Sequence, residues 1–203
     1  MKIVCVGRNY ADHAKEMNSP LTQDPVIFIK PETALLPTGQ NFEYPSFSGN
    51  IHFECEVFFR IGKKGKNVAA SEAWDIIDGV GLGIDFTARD IQENAKKEGL
   101  PWEKAKGFDQ SAAVSEIFPL NILPDRDKIN FKLMVNEVDR QFGITSDYIF
   151  KIPQIIAHIS RYFTLNSNDL IFTGTPEGVG PVKPGDHLKG FLENKPVLDF
   201  SIL

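Results

Sequence analysis

The chain has 203 residues, of which 42% are hydrophobic and 24% charged, with a formal net charge of -5 and a pI near 5.4. That length suits one domain with a sizeable core, and the composition is that of a globular protein rather than a disordered or fibrous one. The acidic balance supplies no global basic field for a nucleic-acid partner, and no apolar run approaches the roughly 20 residues that span a bilayer.

Met1 leads directly into the strand-like Ile3-Val4-Cys5-Val6, so a signal peptide is not expected. Cys5 and Cys55 both lie in apolar strand-like runs and are expected as buried thiols, not as a disulfide or metal pair. The expected setting is reducing and cytoplasmic.

Strands are predicted over 2–6, 26–30, 53–61, 80–86, 129–135, 138–144, 169–173, 187–190 and 196–202, with hairpin turns at Asn136-Glu137 and Glu193-Asn194-Lys195. Helices are predicted over 11–18, from an N-cap at Thr87 to a C-terminal Gly99, and from near Pro153. The last carries Ile155, Ile156, Ile159, Tyr162 and Phe163 as one apolar stripe. Strands outnumber helices and do not alternate with them. The expected fold is therefore α+β, a mixed β-roll or barrel-like sheet with a few short helices, in one catalytic domain over 1–203.

Along the chain, the first chemistry-bearing residues are Arg8, in the turn after the first strand, and the i,i+3 pair His13 and Glu16. A carboxylate that orients a histidine raises its basicity, so this pair suits proton abstraction from water; such pairs also occur as plain helix decoration. Glu54 and Glu56 follow on one face of a predicted strand, since side chains repeat with period two. An isolated E-x-E is most often a solvated face. Here Asp85 ends another apolar strand with a third acid. Three hard oxygen donors without thiolate suit Mg²⁺ or Mn²⁺, with Ca²⁺ as a further option, and disfavour zinc.

On the next helix, Arg89 and Gln92 share a side with Asp85, where a guanidinium fork can meet a carboxylate. Lys106, flanked by Ala105, Gly107 and Phe108, is placed to stabilise charge developing on a carbonyl oxygen, and Lys30 is a weaker candidate of that kind. The segment 94–102 is a candidate lid. The Gly-rich run 172–181 lacks a P-loop pattern; its backbone N–H groups or the Thr175 hydroxyl suit an anionic ligand.

In order, Gly7-Arg8-Asn9-Tyr10-Ala11-Asp12-His13, Phe28-Ile29-Lys30-Pro31, His52-Phe53-Glu54-Cys55-Glu56, Asp85-Phe86-Thr87-Ala88-Arg89-Asp90-Ile91-Gln92, Gly99-Leu100-Pro101-Trp102 with Lys106, and Thr173-Gly174-Thr175-Pro176 closely resemble the fumarylacetoacetate hydrolase family. The resemblance is strongest to its short acylpyruvate hydrolase and oxaloacetate decarboxylase members. It implies metal ligation by Glu54, Glu56 and Asp85, water activation by His13 and Glu16, and a carbonyl-facing Lys106. Arg89, Gln92 and Thr175 fall at substrate-contacting positions. It also implies a small 2-oxo acid as substrate and a homodimer as the assembly. The expected activity is metal-dependent C–C hydrolysis of acylpyruvates. Oxaloacetate decarboxylation, hydratase or isomerase chemistry, and a 2-oxo-acid-binding sensor are the alternatives.

Overall fold

The computed structural model of the protein describes residues 1–17 and 20–203. Its largest sheet is mixed and curled. In spatial order it holds β2 (Val26–Lys30), β1 (Ile3–Gly7), β12 (Leu170–Phe172), β5 (Cys55–Ile61), β6 (Ile77–Asp85), β8 (Ala112–Val114) and β3 (Leu35–Leu36), with β9 (Phe118–Pro119) also on β6. Only β1–β12 and β3–β8 run parallel; in the first pair Ile3 lies opposite Leu170. A second, antiparallel sheet runs β11 (Val138–Ile144), β10 (Asn130–Val135), β14 (His187–Leu192) and β15 (Lys195–Ser201). A third joins the short β13 (Gly180–Pro181), β4 (Ile51–Phe53) and β7 (Thr87–Ala88).

Period-two alternation explains the packing. Val57 and Phe59 of β5 join Leu82 and Ile84 of β6 in the main core, which also takes Leu133, Leu188 and Leu198 from the second sheet. Phe58, between them in sequence, points to the opposite face and stacks on Phe172 with ring centroids 5.4 Å apart. Cys5 and Cys55 are both free and buried, as expected.

Both anticipated hairpins form, and their turn residues are left-handed: Asn136 and Glu137 at φ 51° and 60°, Glu193 and Asn194 at 46° and 64°. Two positive-φ residues give the turn the twist its flanking strands need. The strand predicted over 53–61 is instead two strands broken at Glu54. There the chain leaves the large sheet: Cys55 N–H donates to Gln141 Oε1 at 2.9 Å, and β4 pairs with β7 and β13.

Four α-helices occur among the described residues: α1 (Ala11–Glu16), α2 (Arg89–Glu98), α3 (Glu103–Lys106) and α4 (Ile152–Tyr162). The predicted end of the first helix at Asn18 lies outside the described residues. Thr87 is not the cap of α2, because it pairs with His52 in the β4–β7 ladder and Ala88 takes the cap position. Gly99 does end that helix, in the left-handed region at φ 68°. On α4, Ile152, Ile155, Ile156 and Ile159 are buried, but Tyr162 and Phe163 are exposed. The stripe stops at Ile159 because the final turn runs past the core.

Candidate active site

The carboxylates meet where the three sheets converge. Glu54 sits at the β4–β5 break and its carbonyl accepts the Asp85 N–H at 2.8 Å, which fixes the end of β6 beside it. Oxygens of Glu54, Glu56 and Asp85 lie within 4.8 Å of one another, and the three residues are 5%, 2% and 1% exposed. Buried carboxylates this close demand cations.

Three cations of the chain supply part of that demand. Lys106 Nζ bridges Glu54 Oε2 and Asp85 Oδ2, each at 2.8 Å. Arg89 donates Nη2 to Glu54 Oε1 at 2.6 Å and Nη1 to Gln92 Oε1 at 2.7 Å. Lys30 Nζ lies 2.8 Å from Asp85 Oδ1, but it donates to the carbonyls of Phe86, Lys106 and Ser111 and to the Ser111 hydroxyl. Lys30, buried beneath the site, therefore ties α3 and the following loop to β2; it does not face the cleft.

These contacts divide the acids. Burial raises the Glu54 carboxyl, but Lys106 and then Arg89 outweigh it and hold it well below the usual range. Glu56 has no such partner. Burial, then Asp85 and Glu54, push it well above the usual range, opposed chiefly by the Gly174 N–H donated to Oε2 at 2.7 Å. Asp85 Oδ1 is buried without a hydrogen bond, as is Arg89 Nε. Lys106 is lowered by burial but raised more strongly by Asp85 and Glu54 together, and so stays charged.

A divalent cation fits this donor set. Only oxygens are offered, and Glu56, pushed toward its protonated form by burial and by its two acidic neighbours, has no ion-pair partner of its own. Glu54, Glu56 and Asp85 are the residues that would hold it.

Across the cleft, α1 presents His13, buried, with Nδ1 3.1 Å from Glu16 Oε2. Glu16 in turn accepts the Gly178 N–H at 3.1 Å, which docks α1 on the Gly-rich loop. That leaves His13 Nε2 for the cleft. Asn9 holds the preceding turn: Nδ2 donates to the carbonyls of Thr173 (2.8 Å) and Phe150 (3.1 Å), and Oδ1 accepts the Phe150 N–H at 2.7 Å. Gly174 approaches this clamp with φ 103°, and a Cβ there would lie 2.7 Å from Asn9 Cβ.

The cleft encloses about 480 Å³, including its opening to solvent. The structure brings Arg8, His13, Glu54, Glu56, Asp85, Arg89, Gln92, Lys106 and Thr175 to its lining, with Glu16 behind His13. The Thr175 hydroxyl, however, donates to the Cys55 carbonyl and accepts from Gln141 Nε2, both at 2.8 Å, so its hydrogen is not available to a ligand.

Sequence reasoning missed one residue of the cleft lining, and it did not single out His52, which stands two positions before Glu54 outside that lining. Lys96 lines the cleft, and its signal was the helical spacing Arg89, Gln92, Lys96. His52 has a buried Nδ1 without a partner, and burial followed by Arg89 lowers its pKa to about 4, so it is neutral near pH 7.

A convergent carboxylate trio with buried cations, faced by a histidine–carboxylate pair, defines a metal-assisted enzyme site for a small anion. The chain matches the fumarylacetoacetate (FAA) hydrolase C-terminal family over residues 2–199 and belongs to that family. Its members include hydrolases, decarboxylases and isomerases, and the chain is an enzyme of this kind. It is 44% identical over 200 residues to the mitochondrial oxaloacetate tautomerase FAHD1 of Homo sapiens, covering 98% of this chain and 90% of that one. Against the oxaloacetate tautomerase YcgM of Escherichia coli the identity is 45% over 188 residues, covering 92% and 86%. The fumarylpyruvate hydrolase of Pseudomonas aeruginosa, solved with Mn²⁺ and pyruvate, superposes with a TM-score of 0.95 at 35% identity, covering 100% of this chain and 89% of that one. No described helix is long and apolar enough to cross a membrane.

Proposed function

We propose that the protein is a divalent-metal-dependent hydrolase that cleaves the C–C bond of acylpyruvate-type 2-oxo acids, giving pyruvate and a carboxylic acid. The observation that carries this reading is the placement of the His13–Glu16 pair on the same cleft as the carboxylate trio and Lys106. Binding alone would need no base.

Glu54, Glu56 and Asp85 would hold Mg²⁺ or Mn²⁺, which when bound supplies Lewis acidity to the oxygens of a 2-oxo acid. His13 Nε2 takes a proton from water, and Glu16 at Nδ1 stabilises the resulting imidazolium. The hydroxide adds to the distal carbonyl. Lys106 uses two of its three ammonium hydrogens on Glu54 and Asp85, and the third is left for the oxygen that gains charge. The bond between the acyl carbon and the pyruvyl methylene then breaks, its electrons pass into pyruvate enolate, and protonation gives pyruvate. A homodimer formed from one catalytic domain per chain completes the reading.

A second reading, turnover of oxaloacetate by decarboxylation or tautomerisation, is favoured by the two oxaloacetate tautomerases named above. It requires no attacking water. Acetylpyruvate, fumarylpyruvate and oxaloacetate assayed side by side with Mg²⁺ or Mn²⁺ separate the two. His13→Ala is expected to lower hydrolysis about 10²-fold or more, in line with loss of a general base, while oxaloacetate turnover falls far less. Equal loss on all three substrates would sink the role given to His13.

A further inference from the structure

Gln141 is a buried amide on a strand that otherwise faces water. β11 lies at the edge of the second sheet, and its Val138, Asp139, Arg140 and Phe142 are exposed. Period-two alternation turns Gln141 inward, where it is 2% exposed. A buried glutamine needs partners for one carbonyl oxygen and two amide hydrogens. All three come from the segments that build the candidate site. Oε1 accepts the Cys55 N–H at 2.9 Å, while Nε2 donates to the Thr175 hydroxyl at 2.8 Å and to the Pro176 carbonyl at 2.9 Å. The Thr175 hydroxyl gives its own hydrogen to the Cys55 carbonyl at 2.8 Å. These bonds close a ring through Gln141, Thr175 and both peptide groups of Cys55, the residue that separates Glu54 from Glu56.

The loop fastened in this way reaches both halves of the chemistry. Gly174 donates its N–H to Glu56 Oε2 at 2.7 Å, and Gly178 donates its N–H to Glu16 Oε1 at 3.1 Å. Thr175 and Pro176, the two residues that Gln141 holds, lie between them. Gly178 also packs directly on β11, where any Cβ would collide with the Arg140 carbonyl oxygen. One strand is therefore the footing for the acid that would ligate a metal and for the acid that orients His13.

We infer that Gln141 is a positioning residue: by tying the Gly-rich loop to the peptide groups of Cys55, it holds the Glu54–Glu56 carboxyls and the His13–Glu16 pair in register. Gln141 does not line the cleft, so it acts only through the groups it holds. The inference rests on the metal-hydrolase reading above and adds to it a residue outside the cleft.

Two variants separate the two halves of the ring. Gln141→Leu removes all three bonds. Gln141→Glu is nearly isosteric and still accepts the Cys55 N–H, but as a carboxylate it has no hydrogen for Thr175 or Pro176. Isothermal titration of the metal-free protein with Mn²⁺ reads the first half, and kcat and KM on acetylpyruvate read the second. Gln141→Leu is expected to weaken Mn²⁺ binding about tenfold, as loss of a residue that orients metal ligands does. Gln141→Glu is expected to keep Mn²⁺ affinity within about threefold while kcat falls about tenfold or more at little-changed KM, because only the loop that aligns the base has been released. Ile159→Ala, a core change on α4, controls for lost stability and is expected to leave affinity and kcat as in wild type. If Gln141→Leu does not fold, Gln141→Glu decides. Wild-type affinity and kcat in the Gln141 variants, or losses that Ile159→Ala reproduces, overturn the role and leave the metal-hydrolase reading standing. If wild type binds no Mn²⁺, that reading falls and the role with it. If it binds Mn²⁺ but hydrolyses no acetylpyruvate, the hydrolase reading falls and the Mn²⁺ affinity of the two Gln141 variants decides the role.

Discussion

Glu54 and Glu56 stand two residues apart on neighbouring backbone, yet their carboxyls are held in opposite directions. Lys106 and Arg89 stabilise the charge on Glu54, whereas Glu56 meets only other acids and one backbone N–H. Period-two geometry makes their shared orientation readable from sequence, and i,i+3 spacing does the same for His13 with Glu16 and for Arg89 with Gln92. What spacing does not give is which cation meets which acid. Lys30 and Lys106 read alike in sequence, but one is buried under the site among carbonyls and the other bridges two carboxylates. His52 has a testable consequence. Its pKa in the folded protein, about 4, lies below the ordinary 6.5, so the neutral form is favoured in the fold. Its contribution to stability is thus fully present above pH 6.5 and is lost as pH falls toward 4. His52→Gln is expected to flatten that part of the pH–stability curve, which urea titrations across the window would read. An unchanged slope would mean that other groups dominate acid unfolding there.

At the scale of elements, long periodic segments were legible and two-residue ones were not. The apolar alternation of β10 and β15 and the turn residues of the two hairpins carry enough local signal to place them. β7 and β13 are each two residues long and exist only because β4 lies between them. That pairing took Thr87 from the cap of α2. α3, a single turn, likewise left no periodic trace, although it positions Lys106. The Gly-rich loop was readable as a turn but not as a docking point, because its partners Asn9, Glu16 and Gln141 come from distant parts of the chain. Gly174→Ala should show how tightly it is fastened. Its left-handed φ and the 2.7 Å approach to Asn9 leave no room for a methyl group. The expected loss is about 2 kcal/mol, as for an overpacked interior position, measured by chemical denaturation. A loss near zero would show that the loop can shift away from Asn9.

At the scale of the molecule, the α+β class and the rolled sheet followed from strand count and the lack of βα alternation, and both hold. The spatial order of strands was not readable, since pairs such as β1–β12 join residues as far apart in sequence as Ile3 and Leu170. Metal and fold are coupled at this scale. An ion that binds only the folded protein stabilises it by about 2.7 kcal/mol at a hundred times its dissociation constant. Mn²⁺ is therefore expected to raise the melting temperature and EDTA to reverse it, while Glu56→Gln abolishes the response. Without metal the same variant has a second signature. Glu56 is raised above 4.5 in the fold, so its charged form costs stability progressively as pH rises past that value. In EDTA, Glu56→Gln should gain on wild type as pH increases. A Glu56→Gln protein that still responds fully to Mn²⁺ would remove Glu56 from the ligand set.

The parallel pairing of β1 with β12 also sets a timetable for the growing polypeptide. Strand β5, with the acids at its head, leaves the ribosome while the strand that will lie against its outer edge, Leu170–Phe172, has yet to be translated. At roughly 5–20 residues per second the delay is on the order of ten seconds. Throughout it, Phe58 lacks its stacking partner Phe172, and Glu56 lacks the Gly174 N–H. The nascent chain thus exposes an apolar strand edge before the segment that covers it has been made.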